Sequence, residues 1–545
     1  MELAEVATFF TQEPETGSVL AMELLVVVLM VIAALVAVLE RFARSLPYTV
    51  ALLLAGLVLT LLPSDFFVMD ETLGEIILFV LVPPLVFEAT LHIKWSNLRQ
   101  DLFHVLLLAG VGSLLGAFLI AFALSPLPNF SFVAAFTFGA LISATDPVAV
   151  IAFFRNLGVG KRLALLVEGE SLFNDGVAIV LFSIAVGIAQ SGADSFTLRD
   201  GLIEFVTVAG GGVLIGATLG YVVSNIVLRH VDDHLIETIW TVALAYGVFV
   251  LAEEFHLSGI LAVVVAGLFV GNLGTENTSP TTQITLDNFW EFLAFLANSF
   301  VFLLIGLDTE ISQLLDNIWE ILLAVVVVLA ARAIVIYGLT TISNRLQPRR
   351  TIPLAYRHIM WWGGLRGAIG LALALNLVGA PGFAPAEVRE IGIMTYGVVL
   401  FTLLAQATTL PSLLRRLNLT NKAEYHLELQ RRQATLVARQ AGREALKRMQ
   451  RKGLISNEIW QAADTVYNED VQESEEQLSY HLQEYAELKL GMVIQARAEA
   501  IKAERNAIAD ARRRGLISEE VYHELVVDSD SRAAALDQIR RHSGL

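Results

Sequence analysis

The sequence contains no cysteine, which excludes a disulfide framework and any thiolate metal site. It is also short of positive charge: 37 Lys and Arg stand against 54 Asp and Glu, a formal net charge of −17. A phosphate backbone needs a basic face, so nucleic acid is excluded as a partner. No lysine or arginine precedes Arg41, and Glu2, Glu5, Glu13 and Glu15 stand before the first apolar run. A signal peptide opens on basic residues, so that run does not read as one. Residues 1–422 hold only 19 of the 37 basic residues, while the much shorter remainder holds the other 18. An apolar domain is therefore followed by a polar one.

What is abundant is apolar length. The chain is 55% hydrophobic, with a mean hydropathy of +0.63. A hydrocarbon core of ~30 Å takes ~20 residues of helix to cross. Thirteen runs are candidates: 19–39, 48–62, 73–91, 102–124, 132–154, 163–189, 202–228, 236–252, 257–270, 289–307, 318–342, 352–377 and 391–414. The ninth is the shortest, with a re-entrant segment as its alternative. With the N-terminus outside, the cytoplasmic loops and exit carry 15 Lys and Arg and the outer loops only Arg199 and Arg389, as the preference for inner positive charge requires. Removing the ninth run would move Arg345 through Arg357 outside. The expected architecture is an all-α membrane protein of thirteen transmembrane helices in the cell membrane. Residues 1–18 lie outside, 19–414 cross the bilayer, and 415–545 form a cytoplasmic helical tail.

Several charges fall inside these runs: Glu88, Asp146, Glu170, Asp175, Arg332 and Arg366. Each costs ~2.5–3.5 kcal/mol near a helix centre, so left alone the six would cost ~15–20 kcal/mol. A polar site inside the bundle is the expected compensation. In Glu170-Ser171-Leu172-Phe173-Asn174-Asp175, Ser171 and Asp175 share one helix face, and Glu170 and Asn174 share the adjacent one. Asp175 follows Lys161 by fourteen residues, ~21 Å along a helix and close to the midplane. A carboxylate there must be neutralised, by a proton or by a hard cation. In Ser143-Ala144-Thr145-Asp146-Pro147 the proline interrupts the fifth helix, and freed carbonyls at that depth are good ion ligands. The twelfth run contains Gly363-Gly364-Leu365-Arg366-Gly367, whose glycines permit unwinding. Arg366 can there pair with Glu170 or answer a half-helix dipole. Two interrupted helices seven apart point to an inverted-repeat transporter.

At Thr145-Asp146-Pro147, Glu170-Ser171 with Asn174-Asp175, and Gly363-Gly364-Leu365-Arg366-Gly367, the chain resembles monovalent cation–proton antiporters of the NhaP/NHE type. The resemblance implies a sodium/proton antiporter with Asp175 as the residue that binds ion and proton. It implies that Asp146, Ser171, Thr145 and Glu170 coordinate Na+ or shape its site, with Arg366 as structural partner of Glu170. It also implies a homodimer in which a core domain moves against a dimerisation domain. Relatives that move net charge place two aspartates where Asn174-Asp175 stands, so one-for-one exchange is expected. Potassium in place of sodium is the nearest alternative; a cation channel or a membrane sensor is the alternative of another class. No enzymatic cluster and no cofactor are expected.

Blander readings hold elsewhere. Arg332 and Glu88 are expected to be structural ion-pair partners, Glu88 with an arginine, and Glu168 to be solvated near the interface. Histidines 92, 104, 230, 234 and 256 fall at span ends, where solvation is expected. The glycines at 210, 211, 212, 216 and 220 read as close helix packing. In the tail, Lys452-Gly453-Leu454-Ile455-Ser456 and Arg514-Gly515-Leu516-Ile517-Ser518 each read helix, glycine stop, serine cap, helix. Two helical hairpins follow, in a module that could bind a regulator or bridge a dimer.

Overall fold

A computed structural model describes residues 16–42, 48–60, 76–128, 130–191, 198–231, 233–309, 311–484 and 486–542. Residues 1–15 of the expected outer segment lie outside the described residues. Among the described residues every regular element is helical. Among the described residues seven helices are long and apolar enough to cross a membrane: α4 (Trp95–Leu124), α7 (Lys161–Ser191), α8 (Arg199–His230), α9 (His234–Glu254), α11 (Thr281–Asp308), α13 (Ile318–Leu346) and α16 (Pro385–Arg416). A further apolar helix is α1 (Thr16–Phe42), with side chains described over Val26–Leu39, and shorter apolar helices are α2 (Tyr48–Leu59), α3 (Ile76–Leu91), α5 (Phe132–Leu141), α6 (Val148–Leu157) and α10 (Gly259–Gly274). The short α12 (Ile311–Asp316), α14 (Leu354–Trp362) and α15 (Ala368–Leu375) complete this part of the chain.

The two expected interruptions are present, between α5 and α6 and between α14 and α15. Pro147 sits immediately before α6, where its missing N–H costs nothing because the first turn of a helix has no internal acceptor to lose. The short ninth run is a helix that begins under a Ser258 cap and continues through a π turn to Gly274, four residues beyond its apolar stretch.

Packing separates the helices into two groups. In one, α2 lies along α11, α3 along α10 and α11, and α9 along α10 and α11. In the other, α4, α5, α7, α13 and α16 pack on one another and enclose the interrupted helices. Between them α8 lies against α10 and α7. Its outer side carries exposed Leu202, Val206 and Leu214, an apolar surface suited to lipid. Its inner side is glycine: a Cβ on Gly212 or Gly216 would overlap the backbone oxygens of Ser258 and Ala262.

His104 corrects the expectation of solvation. It is fully buried, with Nδ1 3.8 Å from Asp101, and Asp101 is itself held by Arg162 at 2.8 Å and Arg350 at 2.7 Å. The apolar run starts at Leu102, but the helix starts at Trp95. Its polar first turns turn one face inward, and arginines from two other segments neutralise it.

Residues Lys422–Leu545 form a separate compact unit. It consists of α17 (Asn421–Arg451), α18 (Asn457–Glu484), α19 (Ala486–Arg513) and α20 (Glu519–His542). Gly453 and Gly515 take φ of 68° and 69°, the left-handed conformation that ends a helix and that glycine adopts without strain. Ser456 and Ser518 then accept from the backbone N–H of Ile459 and Val521. The hairpin pairs are tied by Arg443 to Asp464 at 2.8 Å and by Arg505 to Asp530 at 3.0 Å.

Candidate ion-binding site

The two interrupted helices meet at their breaks. The backbone N–H of Asp146 donates to the carbonyl of Leu365 at 2.8 Å, so the two non-helical segments satisfy each other. Contact this close depends on Gly367, since a Cβ there would overlap the Asp146 side chain. Asp146 also accepts from the N–H of Val148 at 2.8 Å, capping α6.

Each break leaves carbonyls at the end of a half-helix, and an arginine answers each. Arg366 is buried and donates from Nη1 to the carbonyls of Ser143 (3.0 Å) and Ala144 (3.4 Å), just past the end of α5. Arg332, on α13, donates to the carbonyl of Met360 at 2.8 and 3.2 Å, near the end of α14. Positive charge belongs at a helix C-terminus. Arg332 is also the guanidinium that pairs with Glu170, at 3.2 Å. The expected Arg366–Glu170 pairing is therefore corrected: Arg366 serves the dipole of α5, and Glu170 belongs to Arg332. Residue spacing along one helix places Glu170, but which arginine lies opposite is decided by where the packing of α13 on α4 and α16 puts Arg332.

The residues between the arginines converge on Thr145. Asn174 donates to the Thr145 hydroxyl at 2.8 Å and accepts from its backbone N–H at 3.4 Å. Ser171 donates to the Thr145 carbonyl. Asn174 is thus turned to the break, while Asp175, one residue on, lines the adjoining cavity, its Oδ1 buried without a hydrogen-bond partner. Asp175, Asp146, Thr145 and Ser171 line a cavity of about 440 Å3. The cavity therefore presents carboxylate, hydroxyl and carbonyl oxygens, the donor type that hard cations take.

The same cavity reaches Glu88, His92, Arg155, Glu168 and Glu291. Glu88 is not paired with an arginine as expected; His92, one turn on, lies 3.5 Å away. Glu168, expected to be simply solvated, belongs to the cavity wall two turns from the start of α7. Glu291 and Asn298 on α11 were not singled out by the sequence reading, although they are polar residues seven apart on an apolar helix.

Residues 26–416 match the model of the family described as sodium/hydrogen exchanger, transmembrane. The chain belongs to the sodium/hydrogen exchanger family. It is 42% identical to the Na(+)/H(+) antiporter ApNhaP of Aphanothece halophytica over 381 residues, 70% of this chain and 71% of that protein. Identity to the Na(+)/H(+) antiporter NhaG of Bacillus atrophaeus is 34% over 511 residues, 91% of this chain and 94% of that one, and so extends into the tail. The fold is that of the sodium proton antiporter MjNhaP1 of Methanocaldococcus jannaschii, with a TM-score of 0.60 at 22% identity, covering 74% of this chain and 99% of that one. As a member of this exchanger family, the chain is a multi-pass membrane protein.

Proposed function

We propose that this protein exchanges sodium for protons across the membrane by presenting Asp175 to each side in turn. The observation that carries the proposal is Asp175 itself: a carboxylate four turns into a membrane helix, at the inner end of an open cavity, with one oxygen that no protein donor satisfies. Such a group holds either a proton or a cation, and the competition between them couples the two fluxes. Thr145, Asp146 and Ser171 supply further oxygens. The clamp of Asn174 and Ser171 holds the Thr145 backbone in place.

Charge supports one proton for one cation. Around the breaks stand three acids, Asp146, Glu170 and Asp175, and two arginines, Arg332 and Arg366, leaving a single negative charge when all are ionised. One monovalent cation or one proton makes the cluster neutral, the form least costly to carry through a low-dielectric region. Net current is then absent.

Eleven helices and two interrupted pairs make thirteen crossings, with the N-terminus outside and the tail in the cytoplasm, so the cavity opens inward. The paired breaks fit an inverted repeat, and the separation into two helix groups fits one moving against the other in a homodimer. The tail is read as a regulatory or dimer-bridging module. In proteoliposomes, a sodium gradient is expected to drive proton movement whose rate is unchanged when the membrane potential is clamped at zero with potassium and its ionophore. Strong dependence on potential contradicts one-for-one exchange. Potassium or lithium in place of sodium tests which cation is preferred.

A further inference from the structure

Four helices line the cavity with the same spacing: α3 through Leu85, Glu88, Ala89 and His92, α6 through Val148, Ile151, Ala152 and Arg155, and the two that matter here, α7 and α11. On α7 the lining residues are Glu168, Ser171, Leu172 and Asp175; on α11 they are Glu291, Ala294, Phe295 and Asn298. Both sets follow i, i+3, i+4, i+7, which is one face of a helix over two turns, ~10 Å. Each begins with a glutamate and ends with a polar group, and in the orientation proposed above both helices run outward from the cytoplasm. The wall ending in Asp175 belongs to the group that encloses the breaks; the wall ending in Asn298 belongs to the other group. Asn298 is only 9% exposed, and what exposure it has is toward the cavity. A buried amide at the closed end of an ion pathway offers a carbonyl oxygen without adding charge.

From this juxtaposition we infer that Asn298 is a cation ligand supplied by the opposite wall, which selects and positions sodium at Asp175 only while the site faces the cytoplasm. When the α7 group moves, Asp175, Asp146 and Thr145 travel with the ion and Asn298 stays behind. The residue therefore acts on loading from one side and not from the other. Its neutrality also matters: an acid at this place would add a further negative charge on the α11 wall and hold the cation in the cytoplasmic-facing state. This inference rests on the antiporter reading and deepens it.

The test uses full-length protein in proteoliposomes of known orientation, measuring the sodium concentration for half-maximal exchange separately from each side. Asn298→Ala is expected to raise it about five- to tenfold on the cytoplasmic side, the loss of one ion contact, with the other side and the saturating rate changed less than about twofold. Asn298→Asp is expected to lower the cytoplasmic value and slow turnover. An equal change on both sides, or no change on either, overturns the inference. Should Asn298→Ala fail to assemble, Asn298→Asp decides: a one-sided fall supports the inference and an unchanged value overturns it. If the native chain itself shows no sodium-dependent proton movement, the antiporter reading fails first, and that result is distinct from all of these.

Discussion

The two interrupted helices solve one problem with opposite charge. The α5–α6 break is made by proline, exposes Thr145 and Asp146, and is negative. The α14–α15 break is made by glycine, contains Arg366, and is positive. Each donates to the other: the α14–α15 segment gives the α5–α6 segment its guanidinium and receives an N–H at the Leu365 carbonyl. The difference teaches a division of labour. One break is open to the cavity and offers oxygens to an ion, while the other is packed away and neutralises what the first leaves exposed. An arginine on an intact helix, Arg332, does for α14 what Arg366 does for α5.

The comparison breaks most severely at Arg366. Arg366→Ala leaves the Ser143 and Ala144 carbonyls unanswered in a dry interior, an expected loss of about 3–5 kcal/mol. The melting temperature in detergent and the yield of folded protein report it. Arg366→Lys is expected to recover only part, because a compact ammonium is more strongly hydrated than a guanidinium and costs more to bury. A smaller effect is expected at Gly367, where alanine forces Asp146 aside. About 1–3 kcal/mol of overpacking should appear as lost melting temperature, together with a weaker apparent affinity for sodium. If Gly367→Ala leaves sodium dependence untouched, the close crossing of the breaks does not position Asp146. The smallest effect is expected at Asn174. Asn174→Ala removes both bonds to Thr145, about 1–2 kcal/mol. Exchange should slow while a direct dependence on Asp175 remains, since Asn174 faces the break and not the cavity.

Much of this was legible in the residues. Asp146-Pro147 announces a broken helix because proline removes a donor, and Asp175 announces a site because its depth follows from counting residues after Lys161. The hairpins of the tail follow from Gly453 and Gly515, whose local conformations need no distant contact. The pairings were not legible. Arg366 was the expected partner of Glu170, and only the packing of α13 on α4 and α16 brings Arg332 to that carboxylate instead. His104 looks like an interfacial residue until α4 is seen to begin seven residues before its apolar run. Glu168, Glu291 and Asn298 are polar residues on otherwise apolar helices, and periodicity alone does not say whether such a residue faces lipid, a neighbour or a cavity.

The central claim is that sodium and protons compete for one carboxylate. The most direct measurement is sodium-driven proton movement by purified Asp175→Asn in liposomes, beside native protein of equal melting temperature. Neutralising that side chain without changing its shape is expected to abolish exchange at every sodium concentration and pH. Exchange by Asp175→Asn at the native rate would contradict the account.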